Sequence, residues 1–137
     1  MRLPVFLGRR PIEPIDHDLA AFYEGLLQEI NRDVFRNGDW RLCERSGWPD
    51  NQSCQNILAW WWAREDERYL IVVNFSDSSV QARVHGPWDE LRGKTWRLAD
   101  GLSGSSYDRN GDEMCEAGLY VELEPWQCHL FQVCVAQ

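Results

Sequence analysis

The sequence predicts a mainly β protein: an antiparallel Greek-key β-sandwich of about seven to eight strands with one N-terminal α-helix. Three observations carry this reading. Beyond Gly38 the chain breaks into short alternating runs separated by turn residues. Before it lies a single stretch with helical periodicity. The chain has 137 residues, enough for one ordinary core but far short of the roughly 250 that a (β/α)₈ barrel needs.

Residues 1–15 carry Pro4, Pro11 and Pro14 and no apolar period, so they read as an extended arm. Residues 16–37 read as the helical segment. Asp16 is placed to cap the helix, and Asp18 adds negative charge where the helix dipole favours it. Leu19, Phe22, Tyr23, Leu26, Leu27, Ile30 and Val34 form one stripe at 3.6-residue spacing. The helix should end near residue 35, where Asn37-Gly38 offers a left-handed stop.

Residues 38–137 read as the sandwich. Asp39–Glu44 is a first strand, and Ser46–Ser53 a polar loop. Asn56–Arg64 and Tyr69–Phe75 are strong strands joined by Glu65–Arg68, a length that suits a hairpin. Val80–His85 alternates cleanly until Gly86-Pro87. Lys94–Ala99 is another strand, ended by Asp100-Gly101. Asn110-Gly111 is a strong hairpin dipeptide, so Tyr107–Met114 reads as a hairpin. Leu119–Leu123 alternates up to Pro125, and Gln127–Val135 closes the chain.

The central hairpin is apolar on both sides. Ile57, Ala59, Trp61 and Ala63 share one face of a strand, while Leu58, Trp60 and Trp62 share the other. A sandwich strand ordinarily keeps one wet face. Something must therefore cover the second face: the N-terminal helix, another domain or another subunit.

Composition narrows the function classes. With 14 basic and 22 acidic residues the net charge is −8, which repels phosphate backbones and argues against nucleic acid. No apolar run approaches the ~18–20 residues of a membrane span, and Met1–Gly8 is too short for a secretory signal. The expected location is the cytoplasm. Five cysteines, an odd number without a C-x-x-C pair, read as thiols in a reducing compartment and not as a zinc site.

No catalytic set assembles. Asp108–Glu113 resembles a calcium loop superficially, but its glycine and glutamate are misplaced, so a solvated turn is the better reading. His17, His85 and His129 are isolated, no G-x-S-x-G occurs, and Cys128 and His129 point to opposite faces of one strand. No metal or cofactor is expected. The eight tryptophans are the remaining candidates, since flat rings stack on sugars. Trp60, Trp61 and Trp62 sit mid-strand, where a core or interface is expected. Trp48, Trp88 and Trp126 lie near prolines and turns and are the carbohydrate-binding candidates.

Longer patterns add a resemblance. Asp18-Leu19-Ala20-Ala21-Phe22-Tyr23-Glu24-Gly25-Leu26-Leu27, followed by Phe35-Arg36-Asn37-Gly38-Asp39-Trp40, resembles the last barrel helix of alpha-amylase superfamily glycosidases running into their C-terminal domain. Ile57–Glu65 and Tyr69–Asp77, with Asn74-Phe75-Ser76, resemble that domain's central hairpin. Leu119–Val135, with Leu123, Pro125 and Leu130, resembles its closing strand pair. The resemblance covers about residues 9–135. It implies a non-catalytic domain of an enzyme of carbohydrate metabolism, docked on a catalytic barrel or another subunit. The family's catalytic carboxylates lie on barrel strands, so no catalytic residue carries over. Phe22, Tyr23, Leu26, Trp60 and Trp62 are the interface candidates, and an oligosaccharide is a possible second partner.

Overall fold

The computed structural model describes residues 12–137. Most of the expected arm therefore lies outside the described residues, and residues 12–15 are exposed without regular structure.

Helix α1 spans His17–Ile30. Asp16 caps it as expected: its Oδ1 accepts from the backbone N–H groups of Asp18 and Leu19 at 3.1 and 3.0 Å. The single helix expected to residue 35 is in fact two. Asn31 leaves helical geometry at φ −80°, ψ 49°, and a short α2 follows over Val34–Asn37. Asn and Asp side chains compete for backbone and local partners, which weakens a helix from within. Here Arg36 donates to the Asn31 side chain, and Asn37 Nδ2 donates to Asp33 Oδ1 at 2.6 Å. The break lets Val34 become fully buried and sets Phe35 against Tyr69 at 4.7 Å.

Gly38 is required by contact and not by handedness. Its φ is −80°, but a Cβ there would meet Val34 O at 2.4 Å and Ala63 O at 2.9 Å. Only glycine lets the end of α2 lie against the following sheet.

Nine strands follow among the described residues: β1 (Asp39–Leu42), β2 (Glu44–Ser46), β3 (Ile57–Arg64), β4 (Glu67–Asn74), β5 (Val80–His85), β6 (Thr95–Asp100), β7 (Ser106–Asn110), β8 (Leu119–Leu123) and β9 (Cys128–Val135). They form two antiparallel sheets, a six-stranded one in the order β1-β3-β4-β9-β6-β7 and a three-stranded one in the order β2-β5-β8. The run expected as a single first strand splits at Cys43, where the chain crosses from the large sheet to the small one. The β3–β4 turn is tighter than the four residues expected. Arg64 pairs with Glu67, leaving Glu65-Asp66 as the turn, with Glu65 at φ 52°.

Asn110-Gly111 does not make a hairpin. Asn110 caps a helix α3 over Gly111–Glu116, accepting from Asp112 N at 2.8 Å and Glu113 N at 3.1 Å. Two acidic residues in that first turn favour a helix start. Gly111 is there for close approach, since a Cβ would lie 1.8 Å from Leu91 O.

The core lies between the sheets. Ile57, Ala59 and Trp61 of β3, Leu70 and Val72 of β4, and Val80, Ala82 and Val84 of β5 are all buried. Trp88 and Trp96 join them, each with its indole N–H satisfied, by Met114 O at 3.1 Å and Leu91 O at 2.7 Å. Asn74, 1% exposed, ties the loops at one end. Its Nδ2 donates to Ser78 O and Glu124 O at 2.8 and 2.9 Å, while its Oδ1 accepts from Ser76 N and Oγ at 3.0 and 2.8 Å. The Asn-Phe-Ser pattern is thus a structural knot.

Candidate functional site

The candidate site is the outer face of the six-stranded sheet together with α1. Register places its residues. Trp40 lies opposite Trp62 and Leu42 opposite Trp60 across β1–β3, and Trp60 lies opposite Ile71 across β3–β4. Directly opposed residues of antiparallel strands share a face, so these side chains form one apolar sheet surface. Tyr69, Ile71 and Val73 of β4 and Leu130 of β9 continue it.

Helices cover only part of this surface. Leu26 and Ile30 of α1 and Val34 and Phe35 of α2 pack with Trp62, Tyr69, Ile71 and Leu130. Between helix and sheet an apolar groove of about 350 Å³ remains, reaching Trp60 and rimmed by Arg36. Trp40, Leu42 and Leu58 stay exposed beside it. The other side of α1 is apolar as well: Leu19, Phe22, Tyr23 and Leu27 are each about half exposed, and no residue of α1 is buried. A helix that meets a sheet on one side and shows leucine and aromatic side chains on the other has the pattern of a middle layer.

The five interface candidates thus fall on two connected surfaces. Leu26, Trp60 and Trp62 meet at the groove. Phe22 and Tyr23, in edge contact at 5.7 Å, belong to the outward stripe of α1. Sequence reasoning missed Trp40, Leu42, Phe35 and Leu130. The first two could have been found from the pairing of β1 with β3, which sets them beside Trp62 and Trp60.

The three carbohydrate candidates do not converge. Trp88 is 2% exposed and packs edge-on against Trp61 at 5.5 Å, so no sugar ring can reach its face. That expectation is overturned: a nearby proline marked a turn, but the indole turns inward to close the core. Trp48 is half-buried in the β2–β3 loop, edge-on to Tyr120 at 6.1 Å. Trp126 is 66% exposed in the β8–β9 turn, at φ 60°.

Polar chemistry elsewhere is sparse. Among the described residues no group of three or more His, Cys, Asp or Glu side chains is placed to hold a metal ion. No helix among them is long and apolar enough to cross a membrane. All five cysteines are unpaired, and burial pushes the Cys43 thiol up to about 12, which makes it inert. His85 bonds Ser46 at 2.9 Å, and His129 bonds Asp100 at 2.8 Å. Among the described residues one buried side-chain polar atom has no partner, the Tyr69 hydroxyl beneath the helices.

With this geometry in hand, the class is plain: the chain has the fold of a β-sandwich segment carried within larger alpha-amylase-type enzymes. It is similar to part of the maltogenic alpha-amylase AmyB of Thermotoga neapolitana, with TM-score 0.68 and 11% identity over 93% of this chain and 28% of that one. It is similar to part of an Anoxybacillus alpha-amylase, with TM-score 0.62 and 17% identity over 89% of this chain and 24% of that one. It is also similar to part of the trehalulose synthase MutB of Pseudomonas mesoacidophila MX-45, with TM-score 0.52 and 20% identity over 83% and 17% of the two chains. The chain thus spans less than a third of each of these enzymes. No protein family and no curated protein matches the sequence.

Proposed function

We propose that this chain is a non-catalytic accessory domain of an alpha-amylase-type glycoside hydrolase of carbohydrate metabolism, and that its outer sheet face and α1 dock on a catalytic barrel. The observation that carries the reading is the uncovered apolar surface of Trp40, Leu42, Leu58, Trp60 and Trp62, continued by the outward stripe of α1. The likeness to a minor part of much longer enzyme chains supports it. Five unpaired thiols support a cytoplasmic setting.

Two measurements on the purified chain test this. No reducing sugar should be released from starch, maltose or sucrose; measurable release that follows the protein through purification sinks the non-catalytic reading. An apolar dye such as ANS should bind the native chain, and Trp60→Ser with Trp62→Ser should abolish most of that signal. Dye binding that is absent, or untouched by the double substitution, counts against the docking face.

A second reading, a carbohydrate-binding module, is favoured by one observation: Trp126 presents its ring to solvent at a turn. Titration with maltoheptaose should then shift tryptophan fluorescence in the parent chain and not in Trp126→Ala. No shift at millimolar sugar removes this reading.

A further inference from the structure

On the side of the sandwich away from β1 and β2, the sheets end on β7 and β8. Among the described residues β7 pairs only with β6 and β8 only with β5. A cleft of about 180 Å³ opens between these two strand edges. Leu98, Val121 and Phe131, all nearly buried, give it apolar walls, and Tyr107, Arg109, Glu122 and His129 are among its other lining residues.

His129 is held in one orientation. Its ring stacks on Phe131, with centroids 4.7 Å apart and planes 22° from parallel. Its Nδ1 lies 2.8 Å from Asp100 Oδ2. The Asp100 carboxyl also accepts from Leu102 N at 3.0 Å, Ser103 Oγ at 2.8 Å and Leu130 N at 3.2 Å. Burial pushes its pKa up, but these bonds outweigh burial and hold it at about 2, so it is an anion. A carboxylate has no proton to give, so Nδ1 carries the shared one and Nε2 is the nitrogen left over. No described residue bonds Nε2. Arg109 spends one N–H on Asp108 O at 2.9 Å and lies over the Tyr107 ring at 5.4 Å. Its other donors have no described partner.

These groups select a ligand chemistry. The Asp100 carboxylate is held by four donors behind His129, and Arg109 is the cation that lines the cleft, with the Asp108 carboxylate close enough to feel its charge. Glu122 reaches the rim with its oxygens bonded by Gln81 Nε2 at 3.4 Å and Tyr120 OH at 3.3 Å, and its negative charge there offsets part of the guanidinium's attraction for an anion. A sugar fits poorly: the guanidinium already covers a face of Tyr107, and few polar groups face an apolar interior. A guanidinium and an imidazole backed by a buried carboxylate suit an anion with two oxygens. We propose that the cleft between β7 and β8 binds a small monocarboxylate with an apolar body, its carboxylate on Arg109 and His129 Nε2 and its body against Leu98, Val121 and Phe131. A carboxylate on Nε2 requires that nitrogen to donate, and the Asp100 carboxylate on Nδ1 is placed to balance the resulting imidazolium charge. The cleft lies between the sheets, away from the outer face, so this proposal stands or falls independently of docking.

The test is an NMR titration of the full ¹⁵N-labelled chain with phenylacetate at mildly acidic pH. Expected are saturable shifts at Tyr107, Val121 and Phe131, and movement of the His129 ring nitrogens to the protonated pattern. Arg109→Gln, at a half-exposed position whose unchanged spectrum elsewhere reports an intact fold, should weaken binding about tenfold or more. Phenylacetamide, of similar shape but uncharged, should not bind. The proposal is overturned by an absence of saturable shifts at millimolar ligand, by an amide that binds as well as the acid, or by Arg109→Gln without effect.

Discussion

Along β3, Ile57, Ala59 and Trp61 point into the sandwich, while Leu58, Trp60 and Trp62 point away from it. The two rows are about equally apolar, and they sit on the same backbone. Yet Trp61 is 2% exposed, sealed by Trp88, whereas Leu58 is 40% exposed and Trp60 and Trp62 are half-buried. The small sheet closes the inner face; the two helices close only part of the outer face, at Tyr69, Ile71 and Leu130. Burial of a large side chain is worth about 1.5–3 kcal/mol. On the inner face that free energy is already realised in folding. On the outer face it is still available to a partner.

Paired substitutions test this contrast directly. Trp61→Ala should cost about 3–5 kcal/mol, as large-to-small changes in a closed core do. Trp60→Ala should cost under about 1 kcal/mol in the isolated chain, because its ring already touches water. Urea unfolding of both variants measures the difference. Equal losses would mean that the outer face is packed in solution by something the chain itself supplies.

Asn74 bears on how the inner layer is held at its end. Asn74→Ala removes a side chain with four hydrogen bonds and strands the Ser78 and Glu124 carbonyls near it. We expect a loss of about 2–4 kcal/mol, since each unsatisfied buried group costs about 1–3. Asn74→Asp separates geometry from charge: it keeps the acceptor for Ser76 but cannot donate to the two carbonyls, and should be nearly as damaging. A neutral outcome for both variants would show that the knot is incidental.

Much of this was legible in the sequence. The two-sided apolar hairpin by itself announces an uncovered face, and Val80–His85 and Leu119–Leu123 fall where alternation puts them. What was not legible depended on close approach and on competition between local motifs. Asn110-Gly111 satisfies the hairpin rule, but packing of Gly111 against the Leu91 carbonyl selects a helix start instead. Trp88 looked like a surface ring because nothing local says which way a side chain beside a turn will point. The His129–Asp100 pair joins residues 29 positions apart, and no spacing rule reaches across two strands to find it.

That pair also sets a pH limit. Asp100 falls from an ordinary 3.8 to about 2 in the folded chain. A depressed carboxyl stabilises the fold above its unfolded pKa, and the contribution is lost as pH falls through the folded value. Stability followed by urea midpoint should therefore drop between about pH 4 and pH 2, and Asp100→Asn should flatten part of that slope. An unchanged slope in the variant would move the acid sensitivity to other carboxyls.

The smallest expected effect lies where the two faces of the comparison meet. Tyr69 is fully buried beneath α1 and α2 on the outer side, and its hydroxyl has no hydrogen-bond partner among the described residues. Burial pushes its pKa up, and Arg32, 5.9 Å over the ring, only partly opposes this. An unsatisfied buried hydroxyl costs free energy that a phenyl ring of the same shape does not. Tyr69→Phe should therefore raise stability by about 1 kcal/mol, seen as a higher urea midpoint with an unchanged slope. The opposite result, a loss of similar size, would mean that the hydroxyl is bonded in solution. The region beneath the helices would then be wetter, and the outer face less completed by its own chain, than its covered portion implies.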